Sequence, residues 1–239
     1  MRLTIELVEG AAQYIHPATR DRELDLRGYK IPVIENMGAT LDQFDSIDMS
    51  DNDIKRLDNF PQLKRVTKIL LSNNRISKIQ DHLEESLPNL QWLILTNNDL
   101  QQLGDLDTLA SLSHLEFLSL LGNPVTTKKH YRLYVIHTIP SVRVLDFKKV
   151  KLKEREEAAR LFKGKKGSLL HQEIGVKTVV GEFVPGEPDT EQMKKQRSAE
   201  EIEAIKQAIS KATSLDEIER LQEALKSGMI PGKTQMDVD

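Results

Sequence analysis

The chain holds six histidines, 37 carboxylates and no cysteine, and these set the limits of its chemistry. His16, His82, His114, His130, His137 and His171 are scattered, and none stands in a Ser/His/Asp order or at metal-ligand spacing. His130 and His137 fall at i, i+7 on a predicted helix, but no carboxylate joins them on that face. The absence of cysteine excludes disulfides, thiol nucleophiles and thiolate zinc sites, and fits a reducing compartment. Gly164-Lys-Lys-Gly167 lacks the phosphate-loop pattern. The expectation is a non-enzyme with no catalytic residue, no metal and no cofactor. The chemistry that remains is recognition.

Charge supplies one lead. Residues 1–127 carry 12 Lys and Arg against 19 Asp and Glu, a balance of −7; residues 128–166 carry 13 against 4, for +9; residues 167–239 carry 9 against 14, for −5. A basic block between two acidic stretches suits a polyanion or an acidic partner, or is simply a solvated helix face. Lys148, Lys149, Lys151 and Lys153 are its candidate phosphate contacts. No aromatic interleaving accompanies them, so they would position a nucleic acid without stacking on its bases. Met1–Gly10 has no apolar core long enough for a signal peptide, and no later stretch is apolar enough to span a membrane, so no membrane contact is expected.

The elements that position these groups come from an internal repeat. The template L-x-x-L-x-L-x-x-N-x-L recurs as Phe44-Ile47-Met49-Asn52-Ile54, Val66-Ile69-Leu71-Asn74-Ile76, Leu90-Leu93-Leu95-Asn98-Leu100 and Leu115-Leu118-Leu120-Asn123-Val125. A degenerate first copy is Leu24-Leu26-Tyr29-Ile31, and a truncated last one is Val142-Leu145-Phe147-Val150. The asparagines step by 22, 24 and 25 residues. Apolar spacing of 3-2-3-2 fits no helix face for long. It fits a short strand with alternate side chains inward, followed by a turn whose Asn amide satisfies backbone groups. One such unit cannot bury its apolar face alone, so copies must stack. The expected fold is a leucine-rich-repeat solenoid of the α/β class, with a short-strand parallel sheet on its concave face.

Solenoid ends need caps. Ala11–Ala18 is read as an N-terminal helix with Tyr14 and Ile15 inward, and Tyr131–Ile139 as a C-terminal helix stopped by Pro140. Val142–Phe147 reads as the last strand and Lys148–Phe162 as a further helix of good helix formers. The repeat domain therefore spans residues 1–165. Gly164-Lys-Lys-Gly167 reads as a breaker, and residues 166–197, rich in Gly and Pro, as a linker. Two capping boxes, Ser198–Glu201 and Ser214–Glu217, with helically spaced apolar positions, predict a helical hairpin over 198–232, and 233–239 form a disordered tail. That hairpin either docks on a partner or is marginal with no role of its own.

Residues between the inward leucines face out on the concave side. The map reads Glu23, Asp25, Arg27; Ser46, Asp48, Ser50; Lys68, Leu70, Ser72; Trp92, Ile94, Thr96; Phe117, Ser119, Leu121. Its first half is acidic. Its second half gathers Leu70, Trp92, Ile94, Phe117 and Leu121 into an apolar patch that holds the only tryptophan. The candidate partner groove is therefore Glu23, Asp25, Arg27, Asp48, Lys68, Leu70, Trp92, Ile94, Phe117 and Leu121. A helix with an apolar stripe and a basic end would complement it.

Several longer runs are more specific than the repeat template: Arg20–Asn36 (RDRELDLRGYKIPVIEN), Gly38–Ile54, Leu93–Leu100 (LILTNNDL), Asn123–Ile136 (NPVTTKKHYRLYVI) and Val142–Glu156 (VRVLDFKKVKLKERE). Together with EAIKQAI (Glu203–Ile209) and LKSGMIPG (Leu225–Gly232), they resemble the A-prime family of the spliceosomal U2 small nuclear ribonucleoprotein. The resemblance implies a nuclear scaffold subunit in pre-mRNA splicing. It implies an RNA-recognition-motif partner of the B-double-prime type held in the groove, U2 small nuclear RNA bound mainly through that partner at a stem-loop, and further spliceosomal proteins nearby. It would also place Lys148, Lys149, Lys151 and Lys153 near the RNA stem. The other reading of the same repeats is a regulator of a protein phosphatase or a histone-binding repeat protein.

Overall fold

In a computed structural model, residues 1–175 and Lys177 are described. The remainder of the linker assigned from sequence, the 198–232 hairpin and the 233–239 tail lie outside the described residues. The repeat template becomes five short strands: β2 (Arg22–Asp25), β3 (Ser46–Asp48), β5 (Lys68–Leu70), β7 (Trp92–Ile94) and β8 (Phe117–Ser119). They pair in parallel and in register, with Leu24, Ile47, Ile69, Leu93 and Leu118 side by side. A sixth parallel strand, β9 (Val144–Leu145), follows. The repeats also form a second, parallel sheet of two short strands, β4 (Arg56–Leu57) and β6 (Lys78–Ile79), and a one-turn helix α2 (Leu83–Ser86) follows β6. Every template leucine, isoleucine or methionine of the four clear copies is buried. Truncating one of them to alanine costs about 2–5 kcal/mol.

The asparagines do what the spacing requires. Asn98 donates to the carbonyls of Leu71, Leu95 and Thr96 at 2.9, 3.1 and 3.3 Å, and its Oδ1 accepts from the Ile76 N–H at 2.9 Å. Asn52, Asn74 and Asn123 repeat this pattern one coil apart. The buried amides tie each coil to the one before it, where the strand has ended and no backbone partner is available.

Both ends differ from the sequence reading. The N-terminal helix is α1 (Ile5–Gly10), capped by Thr4, and not Ala11–Ala18. Ala12–Ile15 is instead strand β1, antiparallel to β2, with Tyr14 and Ile15 exposed and not inward. An open sheet edge adjoins this segment, and pairing with it outweighs a weak helical preference; Tyr and Ile also favour strands. Leu3, Val8 and Ala11 supply the apolar plug. At the other end, helix α3 (Tyr131–Thr138) forms as expected and buries Tyr131, Tyr134 and Val135. Lys148–Phe162 is not one helix, because Lys148–Lys149 turns back as β10, antiparallel to β9, and α4 spans Leu152–Leu161. Arg132 holds this cap together, reaching Glu154 at 2.6 Å and the Leu145 carbonyl at 3.0 Å.

The domain does not stop at residue 165. Gly164-Lys-Lys-Gly167 opens helix α5 (Gly164–Ile174), so the first part of the supposed linker is helical. Gly167 acts here as a point of close approach: a Cβ on it would lie 2.2 Å from the Phe162 carbonyl carbon. His171 of α5 stacks on Tyr134 of α3, with centroids 4.6 Å apart.

Candidate functional site

The strand register lays the outward residues in rows. One row runs Glu23, Ser46, Lys68, Trp92, Phe117 and Val144; the next runs Asp25, Asp48, Leu70, Ile94 and Ser119. Arg27, Ser50, Ser72, Thr96 and Leu121 follow two residues further along each coil. Eight of the ten groove residues named from the sequence lie in these two rows; Arg27 joins them through Asp25 and Asp48, and Leu121 follows β8 on its coil.

They are not equally accessible. Trp92 and Leu121 are 38% and 41% exposed, and Leu70, Ile94 and Phe117 are half-buried. Trp92 and Phe117 stack in parallel, ring centroids 4.3 Å apart with planes 2° from coincidence. Adjacent strands bring two large rings together with their outer surfaces open, an arrangement that favours a further apolar or aromatic group against them.

The acidic half is largely self-satisfied. Tyr14 donates a hydrogen bond to Glu23, which together with burial pushes the Tyr14 hydroxyl up to about 12. Arg27 grips Asp25 with two bonds, at 2.6 and 2.9 Å, and holds its carboxyl below the usual range. Asp48 is buried, which raises its pKa; Ser50 N–H at 2.9 Å and Arg27 at 3.7 Å oppose that shift. Lys68 pairs with Asp21 and lies over the Trp92 ring, 5.4 Å from its centroid. The free negative charge read from sequence is thus reduced to a polar, hydrogen-bonded rim beside the aromatic pair.

Three residues of this face escape the sequence map. Tyr14 and Asp21 arrive through the unforeseen β1 edge and the turn after it. Phe147, assigned from the template to the core, is 63% exposed, and its ring meets Phe117 edge-on at 5.4 Å. Its template position is taken over by a hairpin turn between β9 and β10, which two-residue strands do not announce in sequence.

Lys148 and Lys149 are exposed on β10, and Lys151 and Lys153 are exposed around the start of α4. Glu154 accepts from the Lys151 N–H at 2.8 Å, so the backbone here is fixed while the ammonium groups remain solvated. No group of three His, Asp or Glu is placed to hold a metal among the described residues. His137 stacks on Phe162 with centroids 4.8 Å apart, and burial, followed by the neighbouring His171, lowers its pKa. His171 meets His137 and Phe162 edge-on and has its Nε2 3.2 Å from the Thr138 hydroxyl, so these rings pack α3 against the C-terminal cap.

Comparison with known proteins supplies the family. A leucine-rich-repeat family profile matches residues 1–175. The human U2 small nuclear ribonucleoprotein A' is 58% identical over 234 residues, spanning 98% of this chain and 91% of the human protein. The Arabidopsis thaliana and Schizosaccharomyces pombe proteins of that name are 49% and 41% identical, each over 97% of this chain and over 92% and 100% of their own lengths. A chain in the crystal structure of the Drosophila melanogaster SNF/U2A' complex superposes with a TM-score of 0.70 at 54% identity, covering 73% of this chain and 99% of that one. The chain belongs to the U2 small nuclear ribonucleoprotein A' family, the non-catalytic leucine-rich-repeat subunits of that spliceosomal particle.

Proposed function

We propose that the concave face docks a protein with an RNA-recognition motif, of the B-double-prime type, and that the pair binds a stem-loop of U2 small nuclear RNA in the nucleus. The carrying observation is the parallel Trp92–Phe117 pair, left open on a sheet whose other outward groups are mostly paired within the chain. A partner helix with an apolar stripe would cover Leu70, Trp92, Ile94, Phe117 and Leu121, while its polar flank meets the rim of Glu23, Asp25, Arg27, Asp48 and Lys68. A relative 54% identical to this chain is found in a complex with SNF, which supports a protein partner for this family's repeat domain. Lys148, Lys149, Lys151 and Lys153 then contact RNA phosphates, positioning the stem without reading its bases. Other spliceosomal proteins contact the remaining surface.

Co-purification from nuclear extract, with identification of the bound protein and RNA, tests this reading. Recovery of an RNA-recognition-motif protein together with U2 RNA is expected. Recovery of a phosphatase catalytic subunit or of histones, without U2 RNA, would favour the other reading of the repeats.

A further inference from the structure

The turn between β9 and β10 is a two-residue hairpin, since Leu145 pairs with Lys148 and Val144 with Lys149. Its central residues, Asp146 and Phe147, both have positive φ, 53° and 59°. Two-residue hairpins of this kind need left-handed backbone at both positions and are dominated by Asn-Gly and Asp-Gly. Asp146 conforms, whereas Phe147 stands where glycine belongs.

The equivalent positions along the solenoid set Phe147 apart. The residue just before each ladder asparagine is also left-handed: Asp51, Asn73, Asn97 and Gly122, all of types that tolerate it. Phe147 lies 25 residues beyond Gly122, the same step that separates Gly122 from Asn97. A bulky side chain at positive φ is strained, and such strain persists where the surroundings hold it and a use repays it. The core does not use this ring, which is 63% exposed. The turn beneath it is held firmly: Asp146 accepts from the Leu120 N–H at 2.8 Å and from the Tyr131 hydroxyl at 2.9 Å. The ring stands edge-on to Phe117, which in turn stacks on Trp92.

We propose that Phe147 is a partner-binding anchor, the third ring of a row Trp92–Phe117–Phe147 that seats the apolar stripe of the protein partner's helix. This rests on the docking reading above and extends the interface from the sheet onto the C-terminal hairpin. The protein partner is the occupant because the ring is continuous with the groove's aromatic pair, and because an exposed aromatic already fixed by its turn loses little freedom when a partner covers it. Lys148 and Lys149, which follow directly, form the charged border of this anchor.

Calorimetric titration of a purified B-double-prime-type protein into the full chain, its Phe147→Gly and Phe147→Asn variants and Trp92→Ala, with thermal melts of each, tests the inference. Glycine and asparagine both accept the left-handed turn. Each should therefore weaken partner binding by about tenfold or more, while the melting temperature stays level or rises. Unchanged affinity in both, with Trp92→Ala weakened, would overturn the role of Phe147 and leave the groove intact. Unchanged affinity in Trp92→Ala as well would remove the docking reading itself. A clear drop in melting temperature would make Phe147 a structural residue. Intact partner binding with loss only of RNA binding would assign the ring to a nucleobase and likewise overturn the proposal.

Discussion

Asn98 shows what a single residue does in this fold. It is buried, and its four hydrogen bonds bridge two coils. Asn98→Leu would leave the buried Ile76 N–H without its acceptor, while the carbonyls of Leu71, Leu95 and Thr96 keep the Asn74 amide, the Asn123 amide and the Asn73 N–H. The expected loss is about 1–3 kcal/mol in a denaturant titration, the cost of one buried group left unsatisfied. A loss below about 0.5 kcal/mol would mean that the ladder is not stabilising. Acid stability is also set by single side chains. Arg27 lowers the pKa of Asp25, and Arg132 lowers that of Glu154, in each case below its unfolded value. Groups depressed on folding contribute stability above their unfolded pKa, about 4, and lose it as the pH falls through the folded pKa. Asp48, raised by burial, has the opposite sign and gives back a little stability on protonation. The melting temperature should therefore fall below about pH 4, and less steeply in Arg132→Met. An identical acid limb in calorimetry of the two proteins would contradict the assignment to Glu154. The ladder residues were legible because Asn recurs at a fixed offset from L-x-L. Phe147 was not, because its template offset matches a core position and only the reversal of the chain after Leu145 exposes it.

At the level of elements, the repeat strands were legible and the caps only partly so. Strands β3, β5, β7 and β8 follow from apolar spacing that the core enforces on each copy. The caps answer to a particular neighbour instead. Ala12–Ile15 becomes a strand because β2 would otherwise present an unpaired edge, and Lys148–Lys149 does the same for β9. The demand for edge pairing is not written in local propensity, even where Tyr14 and Ile15 favour a strand. Helix α5 was masked by its glycines, one of which is required by the tight approach of Phe162. Gly167→Ala forces that contact apart. We expect a loss of about 1–3 kcal/mol and faster hydrogen exchange confined to α4 and α5, with β2 to β8 keeping their protection. Uniformly faster exchange would mean that this cap and the repeats unfold as one unit.

At the level of the whole repeat domain, the solenoid is a platform with an aromatic patch on its inner face and lysines on and just after the last strand of its sheet. The candidate RNA contacts Lys148, Lys149, Lys151 and Lys153 suit phosphates and not base edges, so the isolated chain should bind RNA weakly and without sequence preference, with log affinity falling linearly in log salt. Replacing Lys148, Lys149, Lys151 and Lys153 by glutamine should flatten that slope by about 0.7–0.9 for each phosphate that a lysine no longer neutralises, measured by fluorescence anisotropy across a salt series. An unchanged slope would move the RNA-binding surface elsewhere. The partner face can be watched directly, because Trp92 is the only tryptophan in the chain. Adding a tryptophan-free B-double-prime-type protein should shift its emission to the blue and protect it from acrylamide, as the exposed part of the ring is covered. A complex that forms, by sedimentation, while Trp92 stays as quenchable as in the free chain would contradict docking on the concave face.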